Sequence, residues 1–403
     1  MTFKIALRNV FRNRRRTTFS LAVIVVGVAI LFFGLGFIDE VLRSTKTSLA
    51  CETGAVQIAD ARRFEGAGAG YDALIPPETL AHVLEMVEGR PGVVGVTWRL
   101  DFAGLVGDET GSTLVLARGV VPCNCVQDYA CLVTDGAPIP EDASREVLLG
   151  RALAGKLNAA VGDRINVATG TVSGDFNAAT VTVAGLVDTN LTEVEERLAL
   201  FPLPFVQRLL RTDGVDRILV RLGDLDEAGV FAERLQGTLD AEGIRLATRT
   251  WQELSTAYDS LSSFYAAFSG LATLGVFVLV FFSVLEVLTM SFLERTREIG
   301  TIRAFGETRA RVFRGFLLEG ILLGALGGAI GVVIGVVVGS IFNAIGITWT
   351  PPGAAIPQAI ALQIGAYVIV FPFATAVVST SLSTLYPAWK NARLRVVEAL
   401  RSL

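Results

Sequence analysis

Apolar residues are concentrated in four long blocks of the chain, separated by segments of ordinary polarity. A helix of about 20 apolar residues crosses the roughly 30 Å hydrocarbon core of a bilayer, and each block reaches that length. The blocks cover Thr17–Ile38, Ala266–Met290, Phe316–Ile345 and Ile360–Tyr386. The pattern therefore predicts four transmembrane helices, the fourth kinked near Pro372 because proline removes a helical hydrogen bond.

Basic residues indicate which ends of these helices face the cytoplasm. Lys and Arg crowd the N-terminal segment 1–16, the segment 291–315 and the tail 387–403, whereas the outer loop 346–359 has no charge. The positive-inside rule places the three basic segments in the cytoplasm, which here is expected to lie under a bacterial inner membrane. The first block is too long for a cleaved signal peptide, so we expect a retained anchor.

The long segment 39–265, which is then extracytoplasmic, has the mixed periodicity of an α+β domain. We expect two lobes, one from about 55–120 and 215–250 and the other inserted at about 121–214. Asp39–Leu49 and Trp251–Tyr265 continue membrane helices one and two, and they predict a paired helical stalk. Helices are predicted at Glu78–Val87, Leu203–Leu210 and Asp224–Leu239, and strands at Gly92–Trp98, Ser112–Ala117, Arg164–Val167, Thr180–Val187 and Arg217–Arg221. The predicted fold class is a membrane α-helical protein with this one α+β domain inserted between helices one and two.

Composition and charge narrow the chemistry. Hydrophobic residues make up 52% of the 403 residues, charged residues 18%, and the net charge is −4, which argues against a nucleic-acid partner. Gly150–Leu157 matches a phosphate-loop pattern except that Leu157 replaces the required Ser or Thr, and it also has the pattern of an amphipathic helix. We interpret it as a structural helix and expect no catalysis or nucleotide binding in this chain.

The cysteines fall in the extracytoplasmic segment, where disulfides persist. Cys123 and Cys125 are too close in sequence to bridge each other easily, so Cys131 with one of them is the candidate disulfide; free thiols are the alternative. A metal site is a further alternative, but His82 is the only histidine and no recognised ligand spacing is present. No metal or cofactor is expected.

A short, highly charged motif, ERTREIGTIRAFG, occupies Glu294–Gly306 between helices two and three. It is followed by Arg309–Glu319 and a Gly-rich third helix. Together with Ala6–Asn13 near the N-terminus and Tyr386–Trp389 near the other end, this run resembles the FtsX-like permease domain of ABC transporters. That group includes the MacB macrolide exporter and the LolC/LolE lipoprotein-release permeases. The tail keeps Glu398–Arg401 but has Val396 where many relatives carry Pro.

The resemblance implies a permease without catalytic activity that works as a homodimer or related heterodimer on a cytoplasmic ABC ATPase dimer. The ATPase would bind the ATP and Mg²⁺, and the motion of the helices would be transmitted to the outer domain. A coupling role is carried onto the matching residues Glu294, Arg297, Glu298, Gly300, Arg303 and Gly306. Release of lipoproteins, with a lipoprotein or periplasmic carrier as partner, is the expected function. Export of a drug, peptide or siderophore through a tripartite pump and activation of a cell-wall hydrolase are the alternatives.

Two glutamates and a row of glycines lie inside the predicted spans. Glu286 and Glu319 are expected near the cytoplasmic surface, in ion pairs with Arg295, Arg311 or Arg314, and a gating or proton-coupled role is the alternative. Gly327, Gly331, Gly335 and Gly339 recur every four residues and give helix three a smooth face for a close helix neighbour. That neighbour is expected in the same chain, with a dimer seam as the alternative.

Overall fold

The structure, a computed structural model, describes residues 14–64, 71–107, 111–121, 133–139, 144–189, 192–349 and 358–393. The chain forms two compact units. The helical unit comprises Met1–Arg43, Ser260–Ile347 and Ala359–Leu403, and the sheet unit comprises Ser44–Asp259 and Thr348–Gln358. Cys123, Cys125 and Cys131, Ala6–Asn13 and Glu398–Arg401 lie outside the described residues, so those predictions stay predictions.

Helices and strands are numbered in chain order. The α-helices are α1 Arg14–Thr53, α2 Pro77–Val87, α3 Arg151–Leu157, α4 Thr192–Glu195, α5 Leu203–Leu210, α6 Ala228–Ala241, α7 Trp251–Leu254, α8 Thr256–Glu294, α9 Thr296–Ala304, α10 Arg309–Ile345 and α11 Ala366–Ala392. The strands are β1 Val56–Ala59, β2 Val93–Gly107, β3 Ser112–Val120, β4 Val133–Gly136, β5 Glu146–Gly150, β6 Arg164–Gly170, β7 Phe176–Val187, β8 Leu198–Pro202, β9 Arg217–Leu222, β10 Ala247–Thr250, β11 Thr348–Trp349 and β12 Gln358–Ala359.

Four helices have the length and apolar composition to cross a membrane. Their candidate spans are Thr17–Ala50 in α1, Tyr258–Glu294 in α8, Arg309–Ile345 in α10 and Ala366–Ala392 in α11. The four apolar helices of the predicted fold class are therefore confirmed. Buried aliphatic and aromatic side chains of α1, α8, α10 and α11 form their common core, which includes Ile24, Val284, Leu323 and Ala376.

The last long helix begins at Ala366, later than the predicted start at Ile360. The side chain of Asn343 explains the difference: its amide nitrogen donates to the carbonyl oxygen of Leu362 at 2.9 Å, and its amide oxygen accepts from the Leu362 backbone N–H at 2.8 Å. The Gln363 N–H donates to the Gly36 carbonyl at 3.1 Å. These bonds replace helical ones, as backbone in an apolar environment requires.

The sheet unit is built on a single ten-stranded mixed sheet, in the order β10-β1-β9-β2-β3-β8-β5-β7-β4, with β6 paired to both β2 and β7. Because β6 bridges β2 and β7, strands β2, β3, β8, β5, β7 and β6 close a ring. Strand β2 also pairs with β9 along Val93–Arg99. The two predicted lobes are therefore two parts of one sheet that share β2, and the α+β fold class is confirmed.

Helices pack on this sheet through apolar side chains. Helix α5 buries Leu203, Phe205, Val206, Leu209 and Leu210. Phe205 stacks on Phe201 of β8 with ring centroids 5.6 Å apart. The segment that resembled a phosphate loop forms α3, which buries Leu153 and Ala154 and ends at Asn158 in a left-handed conformation.

Both predicted stalk segments are helical, and the second is interrupted at Ser255. Helix α1 continues to Thr53, but Trp251–Leu254 forms the separate short helix α7. A capping box starts α7: the Thr250 hydroxyl accepts from the Glu253 N–H, and the Glu253 carboxylate accepts from the Thr250 N–H. Ser255 then leaves the helical conformation, and α8 begins at Thr256.

Candidate functional site: the charged turn between two long helices

The predicted coupling motif forms a compact charged turn, defined here as Glu294–Thr308. Helix α8 ends at Glu294, Arg295 breaks the helical conformation, and the short helix α9 follows. Gly306 then adopts φ +95°, a left-handed conformation that a side chain would strain. Thr308 caps α10 by accepting a hydrogen bond from the Arg311 N–H. The sequence thus fixes both the start and the end of the turn.

One side of α9 is packed against the helical unit. Ile299 and Gly300 are buried, and Ile299 belongs to the same core cluster as Phe292 and Phe316. The rings of Phe292 in α8 and Phe316 in α10 lie 4.1 Å apart. Because Gly300 has no side chain, α9 can lie close to this core. The turn is therefore held as a part of the helical unit.

A buried ion pair lies directly behind the turn. The Nη1 atom of Arg295 is 3.5 Å from Oε2 of Glu319, and the two side chains are only 10% and 6% exposed. Arg295 lies in the turn directly after α8 and Glu319 lies in α10, so the pair joins the start of the turn to α10. Of the three arginines considered for Glu319, the structure places Arg295 beside it.

The opposite side of the turn is exposed and carries both charge and apolar surface. Glu294, Arg297 and Glu298 are exposed, and Arg303 is half-buried. Phe305 is 88% exposed and Ile302 is 50% exposed. Phe305 and Ile302 together give this side of the turn an exposed apolar surface among charged residues.

Phe305 and Ile302 were not among the residues to which the motif assigned a coupling role. Their apolar character within an otherwise charged segment is the sequence feature that could have identified them.

An ion pair joins the end of the charged turn to the first turn of α10. Arg311 Nη1 lies 2.7 Å from Glu307 Oε2.

The glycines of α10 pack against other helices of the same chain. A Cβ atom built at Gly327, Gly331 or Gly335 would lie within 2.8 Å of side-chain atoms of Ile24, Val28 or Phe32 in α1. Gly339 lies at the same boundary, with a built Cβ 3.5 Å from Phe32. The glycine face therefore lets α1 and α10 approach closely.

Glu286 is placed differently from Glu319. Its side chain is exposed on α8, and within the described residues it makes no hydrogen bond or ion pair. The predicted ion pair with Arg295, Arg311 or Arg314 is absent from the part of the chain that the structure describes. Arg295 is engaged with Glu319, and Arg311 with Glu307, which accounts for two of the three candidates.

In the sheet unit, the end of α1 is joined to the sheet by charged groups. The Glu52 carboxylate accepts from Arg118 Nη2 of β3 at 3.1 Å, and Arg99 Nη1 donates to the Glu52 carbonyl at 3.4 Å. Arg99 Nε lies 3.2 Å from Oδ2 of Asp101. Burial acts to raise the pKa of Asp101, but the guanidinium groups of Arg99, Arg118 and Arg217 lower it, and the net pKa is below its ordinary value.

The second stalk segment begins at Trp251, which is fully buried at the start of α7. Its ring lies 4.8 Å from that of Tyr258 in α8, and the ammonium of Lys46 in α1 lies 5.8 Å from the Trp251 centroid. Lys46 also pairs with Asp226. The ends of α1 and α8 that belong to the sheet unit therefore meet at one aromatic residue.

Two family models match the chain, one over its C-terminal long helices and one over the first long helix and most of the sheet unit. The FtsX-like permease C-terminal model matches residues 270–395, which contain the charged turn, and the MacB-like periplasmic core domain model matches residues 17–238. The chain belongs to the FtsX/MacB family of ABC transporter permeases.

Curated relatives of this permease include two proteins described as "Lipoprotein-releasing system transmembrane protein LolC". The one from Xylella fastidiosa is 25% identical over 354 residues, covering 81% of this chain and 82% of the relative. The one from Neisseria meningitidis is 25% identical over 256 residues, covering 59% of each.

Solved structures similar to this permease are outer domains of related transporters. The extracellular domain of YknZ from Gram-positive bacteria is 14% identical with a TM-score of 0.35, covering 48% of this chain and 99% of that one. The periplasmic region of MacB from Actinobacillus actinomycetemcomitans is 14% identical with a TM-score of 0.36, covering 51% and 92%. The family assignment depends on the two models and not on these structures.

Proposed function

We propose that this permease couples ATP hydrolysis by a separate cytoplasmic ATPase to movement of its outer domain, and that the movement releases lipoproteins from a bacterial inner membrane. The supporting observation is the charged turn, whose packed side is fixed to the helical unit and whose exposed side carries Phe305 among charged groups. Because its packed side holds the charged turn against the helical unit, a partner that binds the exposed aromatic residue could displace the long helices.

The ATPase supplies the nucleotide chemistry in this proposal. It binds ATP and Mg²⁺ as a dimer and meets two permease copies, each through its charged turn. Glu294, Arg297, Glu298 and Arg303 provide charge complementarity at the contact, and Ile302 and Phe305 provide the apolar anchor. The buried pair of Arg295 and Glu319 passes displacement of α9 to α8 and α10.

The outer domain is then moved through α1 and α8. Glu52 in α1 is tied to Arg118 of the sheet, and Trp251 contacts both Lys46 of α1 and Tyr258 of α8. These contacts fix the sheet-unit ends of both helices. Lipoprotein cargo is favoured because the LolC relative from Xylella fastidiosa matches over 81% of this chain.

The docking surface is tested with two matched phenylalanine variants of the full chain. Phe305→Ser removes the exposed aromatic residue of the turn, and Phe176→Ser removes one that is 75% exposed in the sheet unit. We expect Phe305→Ser to lower ATPase co-purification and stimulation about tenfold or more, the loss of a typical hot-spot residue, and Phe176→Ser to leave both unchanged. Equal ATPase binding by Phe305→Ser and the parent chain would exclude this surface.

The cargo is tested by mass spectrometry of proteins that co-purify with the chain from native membranes in mild detergent. An ATPase together with acylated proteins or a periplasmic lipoprotein carrier supports the proposal. An ATPase with a membrane-fusion adaptor would indicate a tripartite pump, and a cell-wall hydrolase would indicate a regulator. Absence of any ATPase after crosslinking would refute energy coupling.

A further inference from the structure

One side of helix α11 is exposed, and its chemistry changes in a fixed order toward the C-terminal end of the helix. Aliphatic side chains come first, then two aromatic ones and finally two basic ones: Leu382, Leu385, Tyr386, Trp389, Lys390 and Arg393. At 3.6 residues per turn these six residues lie on the same side of the helix. Pro387, Ala388 and Asn391 lie on the opposite side and are buried. The exposed side is therefore distinct from the packed one.

Exposed aromatic residues of α11 mark two levels of a bilayer. Tyr367, near the start of the helix, is 61% exposed, and Tyr386 is 62% exposed. The rise of the helix separates them by about 28 Å, which is close to the thickness of a hydrocarbon core. Tyr and Trp residues gather at the two edges of that core. We therefore expect Tyr386 and Trp389 to lie where acyl chains meet lipid headgroups.

Lys390 and Arg393 lie within the next two turns, at the depth of the headgroups. Lys390 follows Tyr386 by about 6 Å of helix, and the headgroup layer extends about 5–8 Å beyond the hydrocarbon core. Arg393 is one turn beyond Trp389, but its guanidinium folds back over the Trp389 ring, with Cζ 4.2 Å from the ring centroid. This cation–π contact keeps the guanidinium at the same level as Lys390.

The charge at this end of α11 suits an anion. A guanidinium can donate two parallel hydrogen bonds to a phosphate, and the Lys390 ammonium adds a second positive charge. The segment 387–403 contains four basic residues and one acidic residue, Glu398. The segment therefore stays positive whichever group Glu398 contacts.

We propose that this end of α11 binds an anionic phospholipid. Lys390 and Arg393 bind the headgroup phosphate, Trp389 positions Arg393, and Leu382 and Leu385 lie against the acyl chains. The order of basic, aromatic and aliphatic side chains matches the order of chemical groups along one lipid molecule. A protein docked on the basic end would have no use for the aliphatic side chains that continue from it. The proposed function enters only in assigning this lipid to the cytoplasmic leaflet.

The lipid preference is measured at Trp389 itself, by quenching of its fluorescence with brominated phospholipids. The full chain and its Trp389→Phe variant are reconstituted in vesicles of phosphatidylcholine with phosphatidylglycerol as the minor lipid, and either lipid carries the bromine. The difference between the two proteins isolates Trp389 from the other tryptophans. We expect phosphatidylglycerol to be enriched at Trp389 about fivefold or more, since one basic residue contributes about that factor at an anionic surface. Equal quenching per mole by the two lipids would overturn the proposal.

The basic residues are tested by the double variant Lys390→Gln with Arg393→Gln, measured against its own Trp389→Phe reference. We expect the preference for phosphatidylglycerol to be lost, whereas Arg393→Lys, which keeps the charge without the guanidinium, should retain part of it. The control is Arg234→Gln with Arg245→Gln, which removes the same charge from exposed sites of the sheet unit and should leave the preference unchanged. A preference that survives the double variant in α11 would overturn the proposal.

These measurements need no ATPase, so they are independent of the proposed coupling. A preference for phosphatidylglycerol at Trp389 in a chain that binds no ATPase would support the lipid site while refuting the coupling. If the double variant in α11 keeps the lipid preference but loses ATPase co-purification, the two basic residues belong to a protein contact and the lipid site is refuted.

Discussion

At the scale of single residues, buried charged groups in the described part of this permease lie beside oppositely charged groups, whereas the exposed Glu286 has no such partner there. Arg295 meets Glu319 between α8 and α10, and Asp101 lies among the guanidinium groups of β2, β3 and β9. Such pairs are costly to break, because the remaining charge stays buried without compensation. Such pairs constrain the relative positions of the elements that they join more than they raise the free energy of unfolding.

The ion pair behind the charged turn should respond differently to single and double substitution. Arg295→Met leaves the Glu319 carboxylate buried alone, and we expect it to lower the free energy of unfolding by about 3–5 kcal/mol. The double variant Arg295→Met with Glu319→Leu should recover most of that loss. Thermal unfolding of the purified full chain in detergent measures both. Equal losses in the single and double variants would mean that the pair itself supplies the stability.

Acid should weaken the sheet unit through Asp101. Because its pKa in the folded state is lowered, Asp101 stabilises the fold above its unfolded pKa of about 3.9, and that contribution is lost as the pH falls through the lower folded value. Asp101→Asn should therefore cost about 1.5–3 kcal/mol at pH 7 and progressively less below pH 4. Urea unfolding of the full chain at pH 7 and below pH 4 measures this loss of stability. Glu88→Gln, at an exposed site, is the control. A loss that does not depend on pH would assign Asp101 a purely steric role.

At the scale of elements, the strongly periodic segments are predictable from sequence, and the fully buried short ones are not. Leu203–Leu210 has the same bounds in the pattern and in α5, because its apolar residues recur at helical spacing. Strands β1 and β8 are buried at every position, so they show no alternation that would distinguish them from other apolar stretches. The start of α11 depends on Asn343, a residue distant in sequence.

The candidate site, too, is predictable from the sequence only in part. The charged turn and its glycines are visible in the sequence, because Gly300 and Gly306 punctuate a run of charges. The partner of Glu319 is not, since Arg295, Arg311 and Arg314 are all within reach in sequence and only the packing of Phe292 on Phe316 places Arg295 beside it. The exposure of Phe305 likewise depends on which side of α9 is packed.

The packing of α10 on α1 should fail when a glycine of the contact gains a side chain. A Cβ atom at Gly331 would lie 2.8 Å from Cβ of Val28 and 3.1 Å from the backbone oxygen of Val25. Gly331→Ala should therefore destabilise the helical unit by about 1–3 kcal/mol. Gly315→Ala in the same helix has open space around it and should be neutral or slightly stabilising, because alanine favours helix. Thermal unfolding in detergent compares the two, and a neutral Gly331→Ala would contradict the close contact.

At the scale of the whole molecule, the proposed function depends on α1 remaining one helix from Arg14 to Thr53. The helix passes from the helical unit into the sheet unit between Arg43 and Ser44, and Lys46 and Glu52 anchor its far end. A stiff helix transmits displacement, whereas a flexible segment absorbs it.

A flexible insertion in α1 should separate ATP hydrolysis from transport. We expect a seven-residue Gly-Ser insertion after Ser44 to preserve ATPase co-purification and hydrolysis but to abolish cargo release. A seven-residue Ala-Glu-Lys insertion at the same place, about two helical turns long, keeps the face of the helix and should retain part of the release. ATPase assays and cargo release from reconstituted vesicles measure both, and full release with the Gly-Ser insertion would exclude the lever.

The pairing of β2 within the sheet determines which segments should be exchanged together in chimeras between relatives. The segment 121–214 lies between β3 and β9 in the chain and contributes β4 to β8 to the same sheet. The ring that these strands help to close depends on the contact of Leu105–Gly107 in β2 with Asn166–Ala168 in β6. A chimera that takes only residues 121–214 from a relative joins a foreign β6 to a native β2. Swapping specificity between members of this family should therefore succeed more often when residues 93–107 travel with the inserted segment.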